Sequence, residues 1–370
     1  MTYSLVVIVV FLAYANGAND NFKGVATLLG SGVTDYRKAL IWGTATTFLG
    51  ALTALFIAKG LLATFSGQGL VPPPIAASPV FILSVGLGAA LTVILAVFLG
   101  FPISTTHSLV GGLVGVGYLA SASGVNLGGL WGSVFKPLLF SPFIALLLAL
   151  VLYPLFHFVR KRLGVERDTC VCVGDEVVAR FAESPASALA AATVPSVTVG
   201  TASVCRQHYT GRVVGIETGR ALDVLHYLSA GAVSFARGVN DTPKIAAILL
   251  IVPGIGANVG IIITAVAMAA GGLLSARRVA ETMAHKITAM NAGQGFTANL
   301  VTSLLVIVAS RFGLPVSTTQ VSVGALFGIG TVTRQAQWKT ISGVVLSWII
   351  TLPVAAALSA AVYFIVSRFV

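Results

Sequence analysis

Two carboxylates, two amines and a set of amides and hydroxyls stand at spacings that suit a small anion held beside a cation. Asn19, Asp20, Asn21 and Lys23 lie in Gly17-Ala18-Asn19-Asp20-Asn21-Phe22-Lys23, between the apolar runs 5–15 and 24–30. The phrase returns 221 positions downstream as Gly238-Val239-Asn240-Asp241-Thr242-Pro243-Lys244, with Gly, Asn, Asp and Lys in register and Tyr14 answering to Phe235. A second pair of phrases, Pro102-Ile103-Ser104-Thr105-Thr106-His107 and Pro315-Val316-Ser317-Thr318-Thr319-Gln320, is separated by 213 positions. An ionised side chain in mid-membrane costs at least about 2.5 kcal/mol on insertion scales, so a chain keeps it where it faces a cavity or a partner. Of the eleven acidic residues, only Asp20 and Asp241 lie deep in such apolar surroundings.

The elements that must position these groups follow from composition. The chain of 370 residues is 56% hydrophobic and 9% charged, with a mean hydropathy of +0.97. A soluble domain carries roughly 25% charged residues, so this is an all-α polytopic membrane protein. At about 20 residues per span there is room for ten to twelve membrane segments. The net charge of +11 reads as Lys and Arg at membrane borders and not as a nucleic-acid surface. Residues 13–15 fit a signal-peptidase site. Yet no basic residue precedes the apolar run, and cleavage would discard half of a pattern that the second half repeats.

In chain order, the first span covers 4–32 with a break at 17–23, where Gly17 loosens the helix. The second covers 39–62, its Thr44, Thr46 and Thr47 read as helix-packing hydroxyls. A loop with three consecutive prolines occupies 60–74. Segments 80–100 and 107–120 are either full spans or a re-entrant hairpin with Ser104, Thr105 and Thr106 at its tip, the reading that three consecutive hydroxyls beside Pro102 favour, and a span follows at 137–159. Residues 160–220 are the one hydrophilic region, with six acidic and eight basic residues. They form a small soluble insert or a partly disordered linker. The second half has a span at 223–252 broken at 238–244, a span at 255–274, a turn at Arg277-Arg278, a hairpin of 287–310 and 321–333, and a final span at 341–366.

Two pairs of motifs in the same order at nearly the same offset mean an internal duplication, 1–159 and 221–370. Three full spans plus one hairpin per half is an odd number of crossings, so the halves form an inverted-topology repeat. With the insert cytoplasmic, inner loops hold fifteen basic residues and outer ones three, Lys59, Lys136 and Arg368. That is a positive-inside bias, and it puts both termini outside a cell membrane.

Broken helices in inverted repeats point to the binding site of a secondary transporter. Half-helix N–H groups attract an anion, and Asp carboxylates with carbonyls suit Na⁺. The Ser-Thr-Thr triplets add donors without charge. With Lys23 and Lys244 offsetting the two Asp, an anion entering alone would carry an uncompensated charge into low dielectric. Accompanying cations remove that penalty, the physical basis of symport.

With G-A-N-D in one half, G-V-N-D in the other, and P-x-S-T-T-H and P-x-S-T-T-Q behind them, the chain resembles the inorganic phosphate transporter (PiT) family of sodium- or proton-coupled carriers. The resemblance covers both halves and leaves out the insert. It implies phosphate as substrate, cation symport and an inverted-repeat fold. Carried over, it implies Na⁺ at Asn19, Asp20, Asn240 and Asp241. Phosphate would meet Asn21, Thr242, Ser104, Thr105, Thr106, Ser317, Thr318 and Thr319, with Lys23 and Lys244 as candidate ligands or as neutralising partners of the Asp residues. The commoner form is G-A-N-D-V-A-N-A, and Lys23 stands where that form has Asn.

Other polar residues stay open. Arg237 has Asn16 opposite it in the repeat and reads as structural, while Arg311 could steer anions or bridge carbonyls. His107, replaced by Gln320 in the repeat, reads as a hydrogen-bonding residue or a proton carrier. Asn291, Gln294 and Asn299 could line a cation path. Cys170, Cys172, Cys205 and His208 have enough donors for zinc, but their spacing fits no standard finger, and reduced cytosolic thiols are the simpler reading. No cofactor is expected beyond the coupling ion, and the partners are phosphate, Na⁺, the lipid bilayer and a second copy in a homodimer. A channel would need a continuous polar pore, and a phosphotransferase would need a nucleophile with a base or a metal cluster. With only two intramembrane Asp, this is not an enzyme.

Overall fold

The computed structural model describes residues 2–65, 69–121, 124–180, 190–252 and 254–369; residues 66–68 of the proline-rich loop lie outside them. They divide into two compact units, residues 1–153 with 226–370, and residues 154–225.

The first unit is helical. It opens with α1 (Thr2–Asp20) and α2 (Ala26–Gly30), followed by α3 (Tyr36–Ile57), α4 (Lys59–Thr64), α5 (Pro73–Ala76), α6 (Pro79–Leu99), α7 (Thr105–Ala120) and α8 (Leu127–Leu130). A π-turn at Trp131–Phe135 leads into α9 (Lys136–Arg162). Its other half holds α11 (Thr218–Ala246), α12 (Ala257–Ser275), α13 (Arg277–His285), α14 (Ala292–Arg311), α15 (Thr318–Thr333) and α16 (Trp338–Val366). The second unit carries α10 (Ala202–His208) and three strands, along with the end of α9 and the start of α11. Among the described residues, seven helical stretches are long and apolar enough to cross a membrane: α1, α3, α6, α8 through α9, α12, α14 and α16. Apolar side chains such as Phe140, Phe143, Leu147, Leu346 and Ile349 stand exposed along α9 and α16, the arrangement of helices that face hydrocarbon.

Packing is tightest where the motif helices meet the second helix of the opposite half. A Cβ added at Gly17 would lie 2.0 Å from the Met268 carbonyl oxygen on α12, and one at Gly271 would lie 1.9 Å from that of Tyr14. In the other half, a Cβ at Gly238 would lie 2.1 Å from the Thr47 oxygen on α3, and one at Gly50 would lie 2.0 Å from that of Phe235. Gly17 therefore serves close helix contact and does not loosen α1, which runs unbroken to Asp20. The break comes after it, in a turn where the Lys23 N–H donates to the Asp20 oxygen and that of Val25 to Phe22.

The second motif shows no matching break. Helix α11 continues through Pro243 to Ala246 and tightens into a 3₁₀ turn at Ala247–Ile251. Proline removes one helical N–H donor, but the motif's own side chains hold the turn, with Lys244 donating back to Asp241. The expected turn at Arg277-Arg278 instead opens helix α13.

Both hairpins form. Helix α6 ends at Gly100 (φ 74°) and α14 is followed by Gly313 (φ 68°), equivalent positions in the left-handed region that favours glycine. Ser104 and Ser317 cap α7 and α15, accepting from the N–H groups of His107 (3.2 Å) and Gln320 (3.3 Å). Thr105, Thr106, Thr318 and Thr319 thus sit in first helical turns and not in a loop. At 16 residues, α7 and α15 are about 24 Å long, short of the ~30 Å hydrocarbon core.

The hydrophilic insert departs from an all-α chain. Strands β1 (Thr169–Arg180), β2 (Ala190–Thr201) and β3 (Thr210–Glu217) form an antiparallel sheet in the order β2-β1-β3. Residues 181–189 lie outside the described residues. The runs Cys-Val-Cys-Val and Val-Thr-Val alternate with the period of a strand, a signal hidden by the polar average of the segment. Cys172 and Cys205 form a disulfide, and Cys170 is a buried free thiol whose sulfur lies 3.2 Å from that of Cys172. The thiols read as reduced therefore include one bonded pair. His208 pairs with Glu176 at 3.3 Å.

Candidate functional site

The four repeated phrases converge. Each of Asn19, Asp20, Asn21, Lys23, Ser104, Thr105, Thr106, Asn240, Asp241, Thr242, Lys244, Ser317, Thr318 and Thr319 is at most 4% exposed as a residue. The cluster is closed to solvent, and each charge must find its partner inside the protein.

Lys23 reaches across the interior. Its ammonium donates to Asn19 Oδ1 (2.7 Å), to an Asp20 carboxylate oxygen, to the Ile103 carbonyl (2.7 Å) and to Thr319 Oγ1 (2.6 Å). Lys244 does the same in reverse, donating to Thr106 Oγ1 (2.8 Å), the Val316 carbonyl (2.8 Å) and Asp241 Oδ1 (3.4 Å). Each lysine thus takes a carbonyl from its own half and a threonine from the hairpin of the other half. The amides of Asn19 and Asn240 tie the motifs to the same hairpins, donating to Phe101 O (3.0 Å) and Val316 O (3.1 Å).

Arg237 is the residue that sequence spacing undervalued. It is 1% exposed and donates to Asn16 Oδ1 (2.7 Å), Asn21 Oδ1 (3.1 Å) and Thr47 Oγ1 (3.3 Å). Its Nε lies 3.8 Å from Asp241 Oδ2, and neither atom has a hydrogen bond. Asn16 in turn donates to Asp20 Oδ2 (3.2 Å) and Thr105 Oγ1 (2.9 Å). The correspondence of Arg237 with Asn16 in the repeat was the available signal. His107 and Gln320 likewise meet, their ring and amide nitrogens 3.3 Å apart.

Two site residues point elsewhere. Asn21 spends its amide on Thr44 (2.7 Å) and its oxygen on Arg237, and the Thr242 hydroxyl lies against the Met268 sulfur at 3.6 Å. Asn291 and Gln294 form the capping box of α14. Asn299 bonds Thr27 (2.9 Å) and Ser229 (3.3 Å) beside His226. The hydrogen bonds of these residues go to a helix cap and to neighbouring helices, and none is made to Asp20 or Asp241.

The sequence profile of the phosphate transporter family matches residues 16–359. The chain belongs to the phosphate transporter family. Membership makes it a multi-pass membrane transporter and not an enzyme. A Rhizobium meliloti protein named a probable low-affinity inorganic phosphate transporter is 28% identical, covering 97% of this chain and 95% of its own length. The chloroplastic inorganic phosphate transporter 2-1 of Arabidopsis thaliana is 25% identical over 97% of this chain and 71% of that protein. The solved structure of a protein named the sodium-dependent phosphate transporter superposes with a TM-score of 0.75 at 22% identity, covering 100% of this chain and 99% of the other. That protein and this chain share the fold.

Proposed function

We propose that this chain imports inorganic phosphate with a cation, sodium or in the alternative reading a proton, by alternating exposure of a site enclosed between two inverted repeats, 1–159 and 221–370. The observation that carries this reading is the exchange of partners: Lys23 is held by Thr319 and Lys244 by Thr106. A site built from both halves opens when the halves move apart on one side, and a closed, charged cluster suits occlusion better than a continuous pore. Phosphate would meet the hydroxyls of Ser104, Thr105, Thr106, Ser317, Thr318 and Thr319, together with the N–H groups that begin α7 and α15. Asn19, Asp20, Asn240 and Asp241 are the candidate seats for sodium, if sodium is the cation. Sodium dependence is a property of the structural relative, so the cation must be argued from this chain's own residues. The positive-inside bias favours a cytoplasmic insert and outward termini.

Radiolabelled phosphate uptake into proteoliposomes tests the reading. Saturable uptake with no release of phosphate from phosphoesters is expected; non-saturating flux would make the protein a channel. Asp20→Asn and Asp241→Asn, which keep size and remove one charge, should abolish concentrative uptake while the protein stays folded.

A further inference from the structure

The two lysines are surrounded as a dehydrated cation is surrounded. Four oxygens face the Lys23 ammonium, from an amide, a carboxylate, a carbonyl and a hydroxyl. Three face that of Lys244, from a hydroxyl, a carbonyl and a carboxylate. Such mixed oxygen sets are those a hard metal cation takes. The two sets also correspond by duplication: Asp20 with Asp241, Ile103 with Val316, Thr319 with Thr106. An arrangement repeated in both halves is not an accident of one rotamer.

A free sodium ion and a tethered ammonium carry the same charge and compete for the same oxygens. The side chain competes as an intramolecular group, at an effective concentration that dissolved sodium has to exceed. Charge leads to the same place. Asp20 and Asp241 give −2 and Lys23, Lys244 and Arg237 give +3, all five buried in one cluster. The sum is +1, which a single dihydrogen phosphate neutralises. The penalty for burying an unpaired anion is then removed by Arg237 and the lysines, with no metal ion needed.

We infer that Lys23 and Lys244 are built-in cations filling the two seats, so that phosphate binding and transport by this chain do not require sodium and, of the two cations weighed above, the proton is left as the coupling ion. Its transport arm rests on the phosphate reading above; its binding arm does not.

Sodium chloride is titrated calorimetrically into the purified protein in choline chloride, for the wild type and for Lys23→Ala and Lys244→Ala. The wild type should bind no sodium, and each variant should gain a site, because removing the ammonium uncovers its oxygens. Stoichiometric sodium binding by the wild type overturns the inference, whatever the variants do. In proteoliposomes, wild-type phosphate uptake should be the same within about twofold with choline or sodium outside, and uptake that rises about tenfold with inward sodium overturns it too. Absence of phosphate uptake in both media would sink the phosphate reading alone, and the sodium titration would still decide the seats.

Discussion

Arg237 and Asn16 hold equivalent positions in the two motifs, and they touch, Nη2 to Oδ1 at 2.7 Å. His107 and Gln320, equivalent positions of the two hairpins, touch as well. In the proposed inverted repeat, equivalent residues would meet each other only close to the axis relating the halves, and these two contacts are what that proposal expects. Both pairs are asymmetric, with Arg against Asn and His against Gln. Arg237 ties Asn16, Asn21 and Thr47 with one planar fork, a geometry that lysine cannot copy. Arg237→Lys keeps the charge and should still lower thermal stability by about 1–3 kcal/mol, the cost of leaving buried polar partners unsatisfied. Arg237→Gln also removes one of the two cations beside Asp241, leaving Lys244 alone, and should cost more, about 3–5 kcal/mol for a broken buried pair. Melting of the detergent-purified variants measures both, and equal loss in the two would show that fork geometry, and not charge, is what the residue supplies.

The helices show what was legible in the residues and what was not. Duplicated phrases at nearly constant offsets revealed the hairpins and the convergence of Asp, Lys and Ser-Thr-Thr, because internal repetition survives in sequence. Roles that depend on a neighbouring helix did not. Gly17 looked like a helix breaker in isolation, yet its missing Cβ makes way for the Met268 carbonyl, as that of Gly238 does for Thr47. Asn21 and Thr242 fall at motif positions but turn toward Arg237 and Met268, a choice of rotamer and facing helix that spacing does not carry. The insert's strands are not legible from its average polarity, which masks a two-residue alternation. Helix contact gives a direct test. Gly17→Ala and Gly238→Ala should each destabilise the fold by about 1–3 kcal/mol, as overpacking does, because the obstructing atoms are backbone. Gly132→Ala, where a Cβ meets nothing within 4 Å, should leave melting unchanged. A tolerated Gly17→Ala would mean that α1 and α12 can separate at little cost.

For the whole molecule, two observations pull in opposite directions. Fifteen basic residues against three favour a cytoplasmic insert, although eight of the fifteen lie in the insert itself and long loops count for less. The Cys172–Cys205 disulfide belongs to an oxidising compartment, since cytosolic thiols are kept reduced. The loops outside the insert break the tie. Arg37, Lys38, Arg277, Arg278, Lys286, Arg334 and Lys339 fall on one side of the expected layout, against Lys59, Lys136 and Arg368 on the other. Short loops are where the rule acts. The insert should therefore face the cytoplasm, with its cysteine pair held as dithiol in the cell and closing on oxidation. Asp168→Cys and Pro73→Cys, both at exposed positions, are made in a Cys170→Ser, Cys172→Ser, Cys205→Ser background and labelled on intact cells with a membrane-impermeant maleimide. Label should reach position 73 from outside and position 168 only after permeabilisation. Label at 168 on intact cells would put the insert outside, make the disulfide its resident state, and reverse the direction in which every span of the chain crosses.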